Sequence, residues 1–574
     1  MIRKNSTLNA TIVLGVFCLS AVFGFPRQQV GIPVRIKNGY VLEFSEPYNR
    51  MVLDIGENNI TTYEATDVVI EADTKFLNQK GIPIEKSVIR PGMELEIQGE
   101  RFGSHIVAHM VKVKTRIEYW EVDVEGYFEK LEGDVARIDG QSVIILPKRF
   151  TLTKDSLKSL EQSIKNQSND AQAILKKLET LRDQEFFGEA AFLDAVRATI
   201  GEEAVTQYQS LILQHARTEL AIIQGDKEWS GKTFRSFREI PLGAEVEIKG
   251  IRQPNGLIVV KSGKVKPNLL TRTERELIKM VQNNVILPPP NRLVGGKVKI
   301  GDRELKLVES LELQQYVTQI GYKLIPRYIK DMPRDDPAKL TYRFYVIEDD
   351  SFNAFALPDG SVFVHTGLLK QLKNEAQLTA VLGHEIAHVT YEHPNRRWGK
   401  LIWLSLINQI TEQILKEFGL GTIADLTKFG LGIFSNKLSR GMENQADRVG
   451  LFYMYEAGYD PREAPKVWRE LLKVVKEDAI SNFIYSDHPS AQARLKNLNR
   501  EIAYNYYGVD FATTTTGEAE YQRVVGRYFG LVPKRPSPTK MQQSDSNSLP
   551  LVNWPKTRPK TQTRRDGFRI RIER

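Results

Sequence analysis

Apolar and polar residues alternate along much of the first half of the chain, and this alternation predicts β-strands. Residues 91–99 alternate in this way and match residues 242–250 in sequence. Each matched segment is followed by a second apolar stretch, residues 106–113 and 257–265 respectively. Period-two alternation places the apolar side chains on one face of a strand. The recurrence therefore predicts two small, barrel-like β-rich repeats.

The first repeat is expected over residues 28–118 and the second over residues 119–267. The second is interrupted, because apolar residues recur three and four positions apart from Leu157 as far as Ile223. This spacing predicts amphipathic helices. We expect a helical insertion over residues 155–224 in a loop of the second repeat. Such modules bind peptides, glycans or neighbouring domains, or serve as folded spacers, and the sequence leaves these alternatives open.

A further helix is predicted after Asn374. This residue suits the N-cap and Gln377 suits the reciprocal third position, while Pro394 forbids continuation. Apolar residues recur at helical spacing between these limits: Leu378, Val381, Leu382 and Val389. Just before this helix, residues 342–347, 353–357 and 361–365 read as short strands, the last two joined by a Pro-Asp-Gly turn.

The N-terminal segment predicts export. Arg3 and Lys4 precede an apolar run from Ala10 to Phe25, as in a secretory signal peptide over residues 1–24. An uncleaved membrane anchor is the alternative. Residues 401–420 are apolar but carry three charges, so we expect an amphipathic helix that covers the site or touches a membrane surface. The expected location is the bacterial periplasm or cell envelope, with membrane association left open.

The charge of the chain is concentrated at its C-terminal end. The net charge is +9, and residues 531–574 hold 11 Lys or Arg against 3 Asp or Glu, a net +8. A Pro-, Ser-, Thr- and Gln-rich stretch of this kind buries too little apolar surface to fold. We therefore expect a largely disordered basic tail over residues 511–574. Its partner would be an anionic membrane surface or polymer, and solubility alone is the alternative; no specific nucleic-acid partner is expected.

The candidate chemistry lies on the helix that follows Asn374. His384 and His388 are four residues apart and share one helical face, so both can bind one metal ion. Glu385 is one position further round and can reach a water molecule bound to that ion. The H-E-x-x-H pattern is typical of hydrolytic zinc sites, although it also occurs in unrelated proteins.

A second acidic segment supplies the missing ligand. Catalytic zinc takes three protein ligands and leaves a fourth position for water. Glu443 fits as the third ligand, and Asp447, one turn later, suits an acceptor that orients a ligand histidine. A charged, solvent-facing helix is the alternative reading of this segment alone.

With these motifs the chain resembles the HtpX-, Ste24- and BepA-like family of zinc metallopeptidases, in its exported, soluble branch. The matching motifs are His384-Glu385-Ile-Ala-His388, Ser439-Arg440-x-x-Glu443-x-x-Ala446-Asp447, the hairpin from Asn353 to Gly360 leading to Thr366-Gly367-Leu368-Leu369, and His488-Pro489 followed by Arg494. The resemblance covers roughly residues 310–500. Two residues depart from the family pattern: Asp359 stands where glycine is usual, and Gln445 replaces a frequent glutamate.

The resemblance implies a site with one Zn²⁺ per chain. His384, His388 and Glu443 would be its ligands, with Glu385 as general base. His488 would donate to the oxyanion or bind zinc transiently, or else only form a turn. Substrate would contact Arg494 and the edge strand at Asn353, Ala354 and Phe355, since an exposed edge can pair with an extended peptide. An ordinary sheet with a covered edge is the alternative. For Arg494 the alternative is a surface or salt-bridge residue.

Together these features predict a multidomain α+β protein, because 574 residues are too many for one core. A mainly α, zincin-like peptidase domain with a small antiparallel sheet is expected over residues 268–510, after the two repeats. The predicted function is zinc-dependent endopeptidase cleavage of misfolded envelope proteins. The alternative is a chaperone-like or scaffold protein that binds polypeptide with little proteolysis. The sequence gives no indication of oligomeric state.

Overall fold

The computed structural model describes residues 31–531 except 46–48, 55–64, 147, 165–170, most of 271–293, 301–302, 337, 394–438 and 478–490. Four predicted features lie outside the described residues: the N-terminal segment 1–24, the amphipathic segment 401–420, His488, and the basic tail beyond residue 531. Within the described part of the chain, no helix is both long enough and apolar enough to cross a membrane.

The first β-unit is a closed barrel of five strands. They are β1 (Ile32–Ser45), β2 (Arg50–Asp54), β3 (Ala65–Leu77), β4 (Glu94–Phe102) and β5 (His105–Val113). Their order around the barrel is β1-β2-β3-β5-β4, in which β3 and β5 are parallel and the other neighbours antiparallel. Leu95, Ile97 and Val111 are fully buried inside the barrel, as the alternation along these strands predicts.

The second β-unit repeats this circuit. Its ring consists of β6 (Trp120–Glu132), β7 (Val135–Ile138), β8 (Gln141–Ile144), β14 (Glu245–Arg252) and β15 (Ile258–Lys266). β15 pairs in parallel with β8, which closes the ring in the order β6-β7-β8-β15-β14. Taken in chain order, the five strands of this second barrel therefore have the same neighbours as those of the first.

The two segments that match in sequence also share a local distortion. The pairing of β4 with β5 shifts register at Gly99, and that of β14 with β15 shifts at Gly250. A Cβ atom would lie 2.0 Å from the Val107 carbonyl oxygen at the first glycine and 2.7 Å from the Val259 carbonyl oxygen at the second. Glycine is needed at both bulges because only glycine permits this approach of the neighbouring strand.

The insertion of the second barrel lies between β8 and β14 and has its own core. It comprises β9 (Arg149–Thr151), α1 (Lys154–Ile164), α2 (Ala171–Leu178), β10 (Glu185–Phe187), α3 (Glu189–Ile200), α4 (Glu202–His215) and β11 (Arg217–Glu219). Phe150, Leu160, Phe192 and Tyr208 are buried together within it. β10 and β11 both pair with β9, so the insertion returns to the barrel where it leaves it.

The predicted C-terminal end of the helical insertion, residue 224, is wrong. Helix α4 ends at His215, and β12 (Ile222–Gly225) pairs with β15 of the second barrel and with β13 (Thr233–Phe234). The apolar run up to Ile223 suits a helix or a buried strand equally well. Pairing with β15, more than 30 residues later in the chain, decides between them.

The described residues from 303 to 531 form a helical domain, preceded by β16 (Val285–Ile286) and β17 (Lys297–Ile300). Its strands are β18 (Arg303–Lys306), β19 (Arg343–Ile347), β20 (Ala354–Ala356) and β21 (Ser361–His365). Its helices are α5 (Leu311–Leu324), α6 (Arg327–Asp331), α7 (Thr366–Gln371), α8 (Glu375–Thr390), α9 (Arg440–Glu456), α10 (Ala464–Glu477), α11 (Ala491–Asn505) and α12 (Glu518–Tyr521).

The small sheet of this domain is mixed, so the prediction of an antiparallel sheet is wrong in part. The order is β19-β21-β20, with β20 antiparallel and β19 parallel to β21. The tight Pro-Asp-Gly turn makes β20 and β21 an antiparallel hairpin. β19 reaches the far side of β21 through the longer connection that precedes β20, and it therefore runs parallel to β21.

The folded region extends beyond the predicted domain end at residue 510. Tyr521 is 1% exposed, and its hydroxyl donates to the Leu369 carbonyl. The Thr516 carbonyl accepts from the backbone N–H of Ala376 in the first turn of α8. Residues up to Leu531 therefore belong to the helical domain and not to the basic tail, because buried aromatic contacts outweigh the polar composition of this stretch.

Both barrels pack directly on helix α11. Arg90, between β3 and β4, donates to the Ala503 carbonyl at 2.6 Å, and Arg252 of β14 donates to the Asn505 side chain at 3.0 Å. The rings of Trp120 and Tyr504 add a contact with centroids 5.1 Å apart. The β-rich units thus contact the helix whose first half bears Arg494.

Candidate metal centre

Helix α8 brings two histidine side chains to one buried point. Its first turn is capped by Asn374, whose side chain accepts from the Gln377 N–H, as predicted. His384 and His388 are 6% and 4% exposed, and their Nε2 atoms are 2.9 Å apart. The convergence of these two atoms makes Nε2 the metal-facing atom of each ring.

Helix α9 supplies the third donor from a separate segment of the chain. Ser439 caps this helix by accepting from the Met442 N–H, and Glu443 follows in the first turn. The Glu443 carboxylate oxygens lie 3.5 Å from His384 Nε2 and 3.6 Å from His388 Nε2, and the side chain is fully buried. Neighbouring ligand atoms around a tetrahedral zinc ion stand about 3.3 Å apart, given bonds of about 2.0–2.2 Å.

The three side chains therefore fit a zinc ion. Their ligand atoms all lie within 4.8 Å of one another, and among the described residues this is the group of His, Cys, Asp and Glu side chains with that property. Two imidazoles and one carboxylate are also the donor set of many catalytic zinc sites, which keep one position open. The predicted trio is thus brought together by the fold.

Asp447 lies behind His384, in the position predicted for it. One carboxylate oxygen is 3.1 Å from His384 Nδ1, and Arg494 donates to both oxygens. Burial raises the pKa of Asp447 and Arg494 lowers it, with the net result that this pKa lies below its usual value. Burial and Arg494 also oppose protonation of His384, but its hydrogen bonds to Asp447 and Glu443 raise its pKa to about 9 in the metal-free protein.

Arg494, which the resemblance assigns to substrate binding, is buried beside the metal ligands. It is 2% exposed, its guanidinium stacks 3.8 Å from the Trp468 ring centre, and it lies 3.4 Å from a Glu443 carboxylate oxygen. Its other contacts are Asp447 and His384. The side chain thus lies against the metal-ligand cluster and also lines the cavity beside Glu385, and its contact with substrate stays a prediction.

Two polar residues near the ligands were missed as parts of the site. His393 Nδ1 lies 2.8 Å from His388 Nδ1, and His393 Nε2 lies 2.9 Å from Gln445 Oε1. The sequence marks Gln445 only as a departure from the family pattern. Neither position has a periodicity or motif that pairs it with the other across 52 residues.

Glu385 faces a cavity of about 70 Å³ beside His384. Asn353 and Ala354 of the hairpin segment are among its lining residues, and most of its wall is apolar. The apolar wall includes Val381, Leu451, Val467, Trp468, Leu471 and Leu498. A water molecule on a metal held by the two histidines would be next to the Glu385 carboxylate. An apolar side chain placed in this cavity would also be next to it.

The edge of the small sheet lies beside the same cavity. β20 pairs with β21 on one side, where Phe355 stacks on Phe363 with ring centroids 5.0 Å apart. No described strand pairs with the other side of β20. The far edge of the sheet is different, because β19 is bonded there to residues 306–308.

The hairpin turn explains the first departure from the family pattern. Asp359 accepts from the N–H and hydroxyl of Ser361 and forms an ion pair with Arg343 at 3.1 Å. Gly360 follows with a φ of 89° and completes the turn. His365, at the end of β21, contacts Ser351 and Asp349.

Comparisons with known proteins agree with this geometry. Residues 313–502 match the model of peptidase family M48. The chain is 34% identical over 160 residues to mitochondrial metalloendopeptidase OMA1 of Arabidopsis thaliana, an alignment that covers 28% of this chain and 31% of that protein. It is 29% identical over 220 residues to the beta-barrel assembly-enhancing protease of Escherichia coli K12, covering 35% of this chain and 43% of that protein.

A third relative is metalloendopeptidase OMA1 of Schizosaccharomyces pombe, 32% identical over 165 residues, with 28% of this chain and 46% of that protein aligned. The chain spans less than half the length of each of these relatives. The matches confirm the resemblance to this family of metallopeptidases, and they support a metalloendopeptidase domain in the helical part of the chain.

Proposed function

We propose that this protein is a zinc-dependent endopeptidase. The premise is that residues 313–502, which match the model of peptidase family M48, form a peptidase domain of that family. The observation that carries the proposal is the convergence of His384, His388 and Glu443 beside Glu385 at an apolar cavity. A fold that only bound polypeptide would not need a buried metal-ligand trio next to a carboxylate.

Each residue of the site has a separate part in the reaction. Zinc held by His384, His388 and Glu443 would supply a Lewis acid for the scissile carbonyl and lower the pKa of water to about 7. Glu385 accepts the proton of the attacking water and passes it to the leaving amine. Asp447 accepts from His384 Nδ1 and is itself held by Arg494, which keeps the His384 ring in its orientation. His488 donates to the developing oxyanion, a role that rests on the resemblance alone.

The substrate we propose is an extended polypeptide with an apolar side chain near the scissile bond. A peptide strand would pair with the outer edge of β20 at Asn353, Ala354 and Phe355. The outward backbone N–H and C=O groups there are those of Ala354, because the Asn353 N–H and C=O bond to Ser351 and His365. The apolar wall of the cavity would take one side chain of that strand, because burial of apolar surface is favourable. Recognition of this kind reads the backbone and exposed apolar residues, which unfolded proteins present.

Misfolded envelope proteins are the substrate class we propose on this basis. The signal-peptide-like residues 1–24 support export to the bacterial periplasm or envelope. One relative is named a beta-barrel assembly-enhancing protease, and that name also supports an envelope role. We also propose that the basic tail associates with an anionic membrane surface or polymer, on the strength of its net +8 between residues 531 and 574.

Cleavage of an unfolded protein tests the proposal. The full chain is incubated with a reduced, unfolded protein of known sequence, and products are mapped by mass spectrometry. We expect internal cuts next to apolar residues, loss of cutting after chelation, and recovery on addition of zinc. Stable binding of the unfolded protein without internal cuts in the presence of zinc would instead support the chaperone-like alternative and contradict the proposal.

A further inference from the structure

A line of hydrogen bonds joins the metal-ligand trio to the second barrel. It starts at His388 Nδ1, which is 2.8 Å from His393 Nδ1, and continues from His393 Nε2 to Gln445 Oε1 at 2.9 Å. The Gln445 amide nitrogen then donates to Asp139 Oδ1 at 3.0 Å and to the Glu125 carbonyl at 2.9 Å. Asp139 follows β7 and Glu125 lies in β6, so the line ends in a different structural unit from the one in which it begins.

Donor and acceptor roles along this line have one consistent assignment. A histidine that gives Nε2 to a metal must carry its proton on Nδ1. His388 Nδ1 is then a donor, so His393 Nδ1 must be the acceptor and His393 carries its proton on Nε2. That proton is donated to Gln445 Oε1, which leaves the Gln445 amide N–H₂ to donate to Asp139 and to the Glu125 carbonyl.

The reverse orientation of the Gln445 amide is excluded by its neighbours. It would turn Oε1 toward the Asp139 carboxylate and the Glu125 carbonyl, which are both acceptors. The amide nitrogen would then face the N–H of His393, so that two donors would meet. The glutamine therefore has one orientation that satisfies all of its contacts.

Asp139 is held rigidly at the far end of the line. It is 2% exposed, has a φ of 55°, and accepts hydrogen bonds from Arg448 of α9. Gln141 also donates to it, at 3.1 Å. The following Gly140 approaches α9 so closely that a Cβ atom would lie 2.8 Å from the Arg448 carbonyl oxygen. The turn between β7 and β8 is thus docked on the helix that bears Glu443.

We propose that His393, Gln445 and Asp139 are positioning residues that fix the tautomer and ring orientation of His388, so that the second barrel completes the metal site. This inference rests on the proposed function, because it takes His388 as a metal ligand. It gives the second barrel a role beyond that of a spacer. It also identifies a residue from outside the matched region 313–502 that tunes the site.

The proposal explains the second departure from the family pattern. A glutamate at position 445 could accept from His393, but it has no N–H to offer Asp139 or the Glu125 carbonyl. Its carboxylate would instead stand about 3 Å from the Asp139 carboxylate, in a buried place where like charges repel strongly. Glutamine keeps the acceptor for His393 and adds the donor that the second barrel requires.

The first test is the zinc affinity of Gln445→Glu in the full chain, measured by competition with a chromogenic chelator. Loss of a partner behind a ligand histidine typically lowers metal affinity by about 10–100-fold, and we expect a loss in that range. Asn444→Ala is the matched control, since Asn444 is the neighbouring residue of α9 and its side chain accepts from Asn497, away from the line to Asp139. The control is expected to stay within about threefold of wild type.

The second test is a rescue. In the double variant Asp139→Asn with Gln445→Glu, the amide N–H₂ of residue 139 donates to the carboxylate of residue 445, which reverses the wild-type direction of this bond. We expect its zinc affinity to be at least about fivefold higher than that of Gln445→Glu alone. The visible bands of the cobalt(II)-loaded protein report ligand geometry independently of turnover. We expect them to shift in Gln445→Glu, to return toward wild type in the double variant, and to be unchanged in Asn444→Ala.

Three results would overturn the inference: wild-type zinc affinity in Gln445→Glu, no recovery in the double variant, or a metal-free Gln445→Glu protein that has lost its circular dichroism signal. The third result would assign Gln445 to folding of the domain. Failure of the wild-type protein to bind zinc would contradict the proposed function itself, which keeps the two failures distinguishable.

Discussion

Gly383 of α8 and Gly450 of α9 bring the two metal-binding helices into direct backbone contact. A Cβ atom on Gly383 would lie 2.9 Å from the Gly450 carbonyl oxygen, and one on Gly450 would lie 2.8 Å from the His384 backbone nitrogen. The absence of side chains at this crossing keeps the two helices close enough for Glu443, seven residues before Gly450, to reach His384 and His388, which follow Gly383 by one and five residues. The site is therefore as sensitive to helix separation as to its ligands.

Gly450→Ala should weaken zinc binding without removing a ligand. The methyl group forces α9 away from α8, because the contacting atoms are backbone and cannot turn aside. We expect zinc affinity to fall by about tenfold or more, as for other changes that disturb ligand positions. Gly441→Ala is the control: its Cβ would meet only Ser439 Oγ at 3.7 Å, and alanine there should leave affinity unchanged. Equal affinities in the two variants would refute the role of this crossing.

Arg494→Lys should impair catalysis through the metal site and not through substrate binding. Lysine cannot make the two-pronged contact of Arg494 with Asp447, so Asp447 and His384 lose their fixed orientation. Steady-state kinetics should give a lower kcat with KM within about twofold of wild type, together with weaker zinc binding. Arg500→Lys, at an exposed position of the same helix, is the control. A raised KM with unchanged zinc affinity would contradict this prediction and support direct substrate binding by Arg494.

Replacing residues 153–215 by a short Gly/Ser bridge should preserve the metal site. β9 and β11 pair antiparallel, with Arg217 opposite Thr151, so a tight turn can join them. The helices removed pack on a core of their own, apart from that of the second barrel. Zinc content and cleavage of a short peptide should therefore match the full chain. An aggregated or zinc-free deletion variant would show that these helices are needed for folding of the whole protein.

Glu129→Gln should stabilise the protein at high pH. Burial raises the pKa of Glu129 to about 8 from an ordinary 4.5, against the effect of its hydrogen bond from Tyr453. A raised pKa means that the contribution of Glu129 to stability is complete below about pH 4.5 and is lost as pH rises to about 8. Glutamine mimics the neutral form and still accepts from Tyr453, which donates at 2.6 Å.

The measurement is the unfolding midpoint of both proteins between pH 5 and pH 8. The advantage of Glu129→Gln should grow with pH and reach about 1–3 kcal/mol near pH 8. The control is Glu132→Gln, because Lys130 and Arg137 lower the pKa of this half-exposed carboxylate. An advantage of Glu129→Gln that is constant or falls with pH would contradict a protonated Glu129.

The sequence was most informative where the chemistry is local. The four-residue spacing of His384 and His388 fixes their common face, and the cap at Asn374 fixes the start of the helix. Glu443 and Asp447 could be inferred because zinc chemistry calls for a carboxylate and helical spacing then relates the two. The hairpin of β20 and β21 followed in the same way from its turn residues.

Features that depend on distant pairing were beyond such reasoning. Asp139 and Gln445 are 306 positions apart, and no spacing rule connects them. The apolar run near Ile223 became a strand because β15 offered a partner, and β19 became parallel because of the route of its connection to β20. Arg494 reads as a surface residue on its own helix, and only the packing of α11 against α9 reveals its burial.

The central claim is that one zinc ion and Glu385 act together in peptide hydrolysis. The most direct measurement compares wild type and Glu385→Gln for zinc content and for cleavage of the same unfolded protein, on the same samples. We predict equimolar zinc in both, with turnover in the variant lower by about 100-fold or more, because Glu385 moves the proton and is not a ligand. Equal turnover in the two proteins, or cleavage that persists without zinc in either, would contradict the account.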